Sequence, residues 1–552
     1  MQSQRTSNTV GNQAGTGYCG WWRPAASGAE PKEHDLAQSL RRLHLPLFVA
    51  NRDGVDFALS DGTFSLSWAK CADAQPLLGY APPCLPEQLG DPSFCAELAI
   101  RYPYLGGSMA KGISSVAMVE ALGRAGMLGF FGAAGLPLTT VADAVAKLSQ
   151  GGFPYGCNLI HSPHEPELEQ ALAELYINKG MRLVEASAFL DLTLPLVRYR
   201  VHGIHRDDKG NIVAPNRIVA KVSREELAAK FFAPPPEPFL RELLASRAIT
   251  QEQAEMAAGI PMAQYITAEA DSGGHTDNRP AGALFPTILS LATRLEAVHN
   301  YNMKLRAGLA GGISTPAAAA AAFAMGAAYI MTGSVNQACL ESGTSDEVRS
   351  MLAETRQADV AMAPAADMFE MGVNVQVLKR GTMFPMRAAK LFEIYQSYAS
   401  LAEIPAAERE RLEKTFFKAP LEDIWRLTRE YFQSRDPHQV ERGDKEPKHR
   451  MALVFRWYLG QAAHWAKDGD ATRKIDYQVW CGPAMGAFNE WAAGSRLESP
   501  SNRAVATVAM NILYGAALLA RVNFLRCQGI AIPPQVLRME PLELAQIKEY
   551  LR

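Results

Sequence analysis

The sequence predicts an α/β fold built on a (β/α)8 TIM barrel, with a small β-rich N-terminal cap before it and an added helical domain after it. Between residues 99 and 345, eight short runs rich in β-branched and aromatic residues alternate with segments of helical periodicity. That is the repeat count of such a barrel and, at roughly 250 residues, its usual size. Glycines recur where several of these runs end, the position at which barrels keep their chemistry. On either side of the block the alternation stops.

Taken in order, residues 1–45 are rich in Gly, Ser, Gln and Asn and read as a flexible tail, with a helical-looking patch at Leu36–Leu43. Within it, Gly15-Thr16-Gly17-Tyr18-Cys19-Gly20 satisfies the G-x-G-x-x-G pattern. No strand precedes it and no apolar helix follows, so it lacks the context of a dinucleotide loop. Residues 46–98 form the expected cap, with Leu47–Ala50 and Phe57–Ser60 as a hairpin around Asp53-Gly54. The eight barrel runs are Tyr104–Met109, Met127–Phe131, Tyr155–Ile160, Arg182–Ser187, Ile218–Val222, Gln264–Ala270, Leu305–Ala310 and Tyr329–Thr332. Helices are expected at Ser114–Ala125, Thr139–Leu148, Glu165–Lys179, Arg224–Phe232, Ala281–His299 and Pro316–Met325, several with Ser, Thr or Pro start signals. Ala233–Pro261, opening on three prolines, reads as an insertion between the fifth and sixth strands. Residues 346–552 read as helical, a region suited to a substrate wall, a lid or a subunit interface such as that of a homodimer.

The bulk composition narrows the function. Of 552 residues, 48% are hydrophobic and 20% charged, as in an ordinary protein with a sizeable core. With 55 Lys+Arg against 57 Asp+Glu the formal charge is −2, so no basic field exists to hold nucleic acid. Eight cysteines are scattered without a Cys-x-x-Cys pair or a metal-ligand cluster, which favours reduced thiols and a cytoplasmic setting. The apolar stretch Ala504–Ala520 is interrupted by Asn511 and falls short of the ~20 residues of a membrane span. There is no Walker lysine loop, no His-Glu-x-x-His and no Gly-x-Ser-x-Gly elbow, which removes the usual support for nucleotide hydrolysis, zincin and α/β-hydrolase chemistry.

The chemistry points to Gly273-Gly274-His275. A titratable imidazole follows the sixth strand and two glycines that let the backbone approach a flat ligand. Glu269, Asp271 and Asp277 surround it in sequence and are expected to raise its pKa; the bland alternative is an exposed or carbonyl-satisfied loop histidine. Gly107-Ser108-Met109 ends the first strand, and Asn158, with an amide donor and acceptor, lies in the third. Lys221 in the fifth strand needs an anionic partner, either a ligand or an ion pair with Glu185 or Glu269. Gly311-Gly312 and Gly333-Ser334 end the last two strands, the loops with which barrels commonly hold a phosphate.

Three longer segments carry a family likeness: Glu269-Ala270-Asp271-Ser272-Gly273-Gly274-His275-Thr276-Asp277-Asn278-Arg279-Pro280, the run Met118 to Gly132, and Ala363-Pro364-Ala365-Ala366-Asp367-Met368-Phe369-Glu370-Met371-Gly372. They resemble the PfaD family, trans-acting enoyl reductases of polyketide and polyunsaturated fatty acid synthases, over about residues 46 to 530. More distantly the barrel is similar to nitronate monooxygenases. The resemblance implies an FMN barrel in which Gly107, Ser108 and Met109 border the flavin, Asn158 and Lys221 contact it, and Gly311, Gly312, Gly333 and Ser334 hold its phosphate. His275 falls on the active-site histidine, with Gly273 and Gly274 beside the cofactor. It further implies NADPH, with NADH as the alternative, as reductant and an enoyl thioester on an acyl carrier protein as substrate. A nitronate-type flavin oxygenase and a flavin-bearing scaffold subunit are the rival readings. Lys379, Arg380, Arg387 and Lys390, around Met383-Phe384-Pro385-Met386, are a candidate carrier-protein or cofactor-phosphate surface, against the alternative of ordinary surface charges.

Overall fold

Eight parallel strands close into a barrel in the computed structural model, which describes residues 19–24, 35–52, 55–66, 74–161, 163 and 165–552. The strands are β1 (Tyr104–Gly106), β2 (Leu128–Phe131), β3 (Tyr155–Ile160), β4 (Leu183–Ser187), β5 (Arg217–Val222), β6 (Tyr265–Glu269), β7 (Arg306–Ala310) and β8 (Ile330–Thr332). Each pairs with the next, and Ile330 opposite Tyr104 closes the ring. Each expected run coincides with one strand, to within a residue at β5, which begins at Arg217. The largest difference is at β1, which stops at Gly106 rather than Met109. There Gly107 N–H donates to Thr332 O, and the Ser108 amide turns toward a carboxylate.

Buried on both faces, these strands need near-continuous apolar runs, and their residues supply them. The amino end of the barrel is plugged by helix Pro92–Leu98, capped by Asp91 on Ser93 N–H. Its Phe94 ring stacks on Tyr329 at 4.5 Å and meets Tyr265 edge-on at 5.2 Å, inside a cluster with Leu105, Leu128 and Val219. This helix was expected in the cap. It packs instead with the barrel, in a compact unit comprising residues 86–513 and 540–544.

Around the barrel the six expected helices are present. The insertion between β5 and β6 forms helices Glu237–Ala245 and Gln251–Ala257. Helix Leu194–Val201, between β4 and β5, was not anticipated. Beyond residue 346 the chain is mostly helical, with a core of aromatic and aliphatic residues including Phe369, Phe417, Phe455 and Tyr458. This region also holds an unexpected hairpin, Val360–Pro364 paired antiparallel with Asn374–Leu378.

The second unit comprises residues 1–85, 514–539 and 545–552. Its described core is a five-stranded antiparallel sheet around Trp22, Phe48, Leu59 and Leu77. Two parts of the segment read as a flexible tail have regular structure here: Gly20–Arg23 is a strand and Leu36–Arg41 a helix. Gly15–Tyr18, the Asp53-Gly54 turn and Cys71 lie outside the described residues. The other seven cysteines are unpaired. Two helices, Ala281–His299 and Val505–Arg526, are long and apolar enough to cross a membrane by length and composition; 78% of the latter's window is buried in the protein. Helix Val505–Arg526 runs past the end of the apolar stretch read from sequence, and Asn511 within it accepts from Leu542 N–H and donates to Leu542 O.

Candidate active site at the carboxyl ends of the strands

After β6 the chain turns through Ala270–Gly273 and forms a two-residue strand, Gly274–His275, against Asn374–Leu378, with His275 opposite Val375. Gly274 has φ +82°, a left-handed conformation open to glycine at little cost. Gly273 is needed for a different reason: a Cβ there would lie 2.9 Å from the Cys481 backbone. The hairpin that holds His275 also carries its partner. His275 Nε2 lies 3.2 Å from Asp367 Oδ1, in the connection between the hairpin strands. Burial disfavours the imidazolium, but Asp367 and then Glu269 outweigh it, so the His275 pKa is raised above its ordinary value. Asp367 is correspondingly held low: its burial is opposed by His275. Asp367's loop is braced by Arg456, which donates to Ala366 O at 2.9 Å.

Two of the acids expected to act on His275 do other work. Asp277 accepts from Ser223 and from both Nε and Nη2 of Arg224. Asp271 accepts from Gln376 and Asn278. Physical proximity in sequence misled here because the chain reverses at Gly273-Gly274.

Lys221 sits between both of its candidate ion-pair partners, with Nζ 3.5 Å from Glu185 and 3.4 Å from Glu269. Burial opposes its charge, and Glu269 and Glu185 more than compensate, so its pKa is raised. Glu185 is fully buried and also accepts from Ser108 N–H at 3.0 Å, Ser108 Oγ at 2.5 Å and Ser187 Oγ at 3.0 Å. Thus Ser108, expected to border a ligand, spends its amide on this cluster while still lining the cavity. Asn158 uses Oδ1 to accept from Ala133 and Ala134 N–H, which leaves its amide nitrogen facing the cavity.

Two adjoining cavities, about 280 and about 80 Å³, open over these groups and share Ser108, Met109, Lys221, Glu269, Gly273 and Gln337. The larger takes in Asn158, Gly274 and His275. The smaller takes in Gly107, Gly311, Gly312, Gly333 and Ser334. No heavy atom lies within 4 Å of where a Cβ would stand on Gly312 or Gly333. Gln337 is 3% exposed, and among the described residues its side-chain amide has no protein partner. Open glycine loops beside unspent amides suit a flat ring system in the larger cavity with a polar or anionic tail in the smaller. All twelve site residues named from the sequence therefore line this pair of cavities.

Sequence reasoning missed Asp367 as a partner, Glu185 as the hub of the Lys221 cluster, Gln337, and the Trp480–Gly482 segment. Gly482 N–H donates to Ser334 Oγ at 3.0 Å. It also missed Lys111, one residue beyond the glycine loop after β1. Lys111 has φ +59°, lines the larger cavity and donates to Gly460 O at 2.8 Å. Burial, reinforced by Lys467, pulls its pKa down to about 7. The basic stretch after the hairpin is largely neutralised: Arg380 pairs with Glu354 and Asp359, Arg387 with Asp476, and Lys390 with Glu393 and Glu408.

Comparison with known proteins sets this geometry in a family. The crystal structure of the enoyl reductase domain of MlnA, from the macrolactin biosynthesis cluster of Bacillus amyloliquefaciens, superposes with a TM-score of 0.75 at 40% identity, covering 79% of this chain and 99% of that one. The chain belongs to the PfaD enoyl reductase family. Relatives of this PfaD-family chain include a polyunsaturated fatty acid synthase subunit of Thraustochytrium sp., 48% identical over 455 residues, 80% of this chain and 30% of the relative. Another is the polyketide biosynthesis protein PksE of Bacillus subtilis, 45% identical over 437 residues, 78% of this chain and 56% of the relative. The PfaD-family chain thus spans only part of the length of these curated relatives. Its residues 398–477 match the family model described as acyl-carrier-protein S-malonyltransferase, inserted helical domain.

Proposed function

We propose that the chain is an FMN-dependent enoyl reductase that reduces α,β-unsaturated acyl thioesters on an acyl carrier protein, with NADPH as reductant, in polyketide or polyunsaturated fatty acid biosynthesis. The observation that carries this reading is the His275–Asp367 pair, a histidine whose pKa a carboxylate partner raises, at a cavity beside two open glycine loops. FMN, when bound, would supply hydride transfer between a nicotinamide and the β-carbon of the enoyl group. Gly311, Gly312, Gly333 and Ser334 would hold its phosphate, and Gly107, Met109, Asn158, Gln337 and Gly273 would border the rest.

The protein's own part is to hold charge and protons in place. With Nε2 held by Asp367, His275 donates a proton from Nδ1 to the α-carbon of the substrate, and Asp367 stabilises the imidazolium and fixes its orientation. Lys221, held charged by Glu185 and Glu269, keeps a fixed positive group in the floor of the cavity. The reading is supported by the family and by the synthase relatives. Purifying the chain, identifying its flavin and mixing the reduced enzyme anaerobically with enoyl groups on a carrier protein tests it. Rapid flavin reoxidation by the enoyl carrier is expected. Reoxidation only by oxygen in the presence of a nitronate overturns the reading.

A further inference from the structure

Part of the lining of the larger cavity, which we call its apolar arm, is free of the polar groups that surround His275. Ala134, Leu136, Ile160, Leu168 and Leu172 line it from the barrel side, and Gly460 and Ala463 from helix Pro447–Asp468. The two charged side chains at this arm are both engaged. Lys111 donates to Gly460 O, and Glu165 is paired with Arg435 Nε at 3.0 Å. A wall of this kind excludes water and suits hydrocarbon.

Gly460 has no packing reason to be glycine. It lies inside a 22-residue helix, where glycine is disfavoured against alanine. Three other helix glycines are explained by close packing, while Gly282 meets nothing within 4 Å but stands in the first turn of its helix rather than inside it. A Cβ on Gly123 would fall 2.3 Å from the Phe153 ring, on Gly443 2.5 Å from the Trp425 ring, and on Gly486 2.0 Å from Gln357 N. At Gly460 nothing lies within 4 Å of that position, and its φ is not in the left-handed region. What the missing side chain leaves is room in the arm.

We infer that Gly460 is the specificity-determining residue of the acyl arm, its absent side chain making space for the alkyl chain of a long α,β-unsaturated acyl thioester. The inference rests on the reductase reading and names the class of substrate for the same site. Helix Pro447–Asp468, which belongs to the segment matching the malonyltransferase insert, then serves as a ruler for chain length.

The test is a series, Gly460→Ala, Gly460→Leu and Gly460→Phe, in the flavin-loaded full chain. Three quantities are read: the melting temperature, the Kd of saturated butanoyl and dodecanoyl N-acetylcysteamine thioesters, and kcat/KM for the corresponding enoyl thioesters. The Ala variant is expected to melt no lower than the parent. With Leu and Phe, the long-to-short ratio is expected to fall roughly tenfold to a hundredfold in both Kd-derived affinity and kcat/KM, growing with side-chain size. Equal responses of the two chain lengths, or a Leu variant with an unaltered ratio, overturn the inference. A parent that binds the thioesters with the expected chain-length dependence yet reduces neither removes the reductase reading and leaves the arm standing. If Phe does not fold, the Ala and Leu variants still decide the matter.

Discussion

A histidine that keeps its proton toward neutral pH needs a carboxylate close by, and His275 takes its own from 92 residues further along the chain. This makes two predictions at the scale of single residues. His275→Ala is expected to keep the yellow flavin spectrum while enoyl reduction falls about 10²- to 10⁴-fold, the usual worth of a positioned acid; stopped-flow reoxidation of reduced flavin measures it. Asp367→Asn removes the group that most raises the His275 pKa and leaves Glu269 alone against burial and Lys221, which lower it. The protonated form then disappears at lower pH, so the alkaline limb of kcat for enoyl reduction moves to lower pH. A kcat–pH profile unchanged from the parent would remove Asp367 from its role. Lys111, with a pKa near 7 at the same cavity, would show itself as a limb surviving in the His275 variant.

At the scale of elements, the loops after β7 and β8 are preformed. Gly333→Ala meets nothing within 4 Å, but its backbone at φ −130°, ψ −75° lies outside the main regions of an L-residue, so the apoprotein should lose about 1–3 kcal/mol. The same Cβ projects into the smaller cavity, and flavin affinity, read by fluorescence titration, is expected to weaken roughly tenfold or more. A weakened Kd in Gly333→Ala protein that is still fully folded at the titration temperature separates a ligand cradle from a structural turn. The eight strands were legible because a parallel sheet buried on both faces requires unbroken apolar runs, and Ile218–Val222 or Tyr329–Thr332 have few other uses. The glycine loops and His275 were legible because they sit at the ends of those runs. Asp367 was not legible as a partner, because nothing local ties it to His275: the tie is a pair of antiparallel strands. Two short runs bounded by Pro364 and Gly372, Val360–Pro364 and Asn374–Leu378, carried the hairpin signal, and they were submerged in a region otherwise helical. Helix Leu194–Val201 was equally quiet, since its Arg198 and Arg200 blur the apolar face; Arg200 is fully buried, donating to Pro261 O and to Asn216 O.

Across the unit that contains the barrel, charge is used for architecture more than for docking. Asp476 is fully buried and receives Arg387, Arg473 and the Tyr458 hydroxyl, joining helices Phe384–Ser397 and Pro447–Asp468 to the short turn that follows. Asp476→Ala strands two guanidinium groups and should cost about 3–5 kcal/mol in chemical denaturation. Arg380→Glu, at a half-exposed pair, should cost about 1 kcal/mol or less. If both substitutions shift the denaturation midpoint alike, the buried network is not the brace described. The antiparallel clamp on His275 also fixes an order of events during synthesis. The barrel ring is complete once Thr332 has emerged from the ribosome, but the strand that grips His275 follows later, and Gly482, which packs on Gly273, later still. At ordinary elongation rates of about 5–20 residues per second, the nascent chain spends roughly two to nine seconds with a finished barrel whose histidine loop is still ungripped, and roughly eight to thirty before Gly482 arrives. Gripping of the histidine loop is therefore separated in time from closure of the barrel.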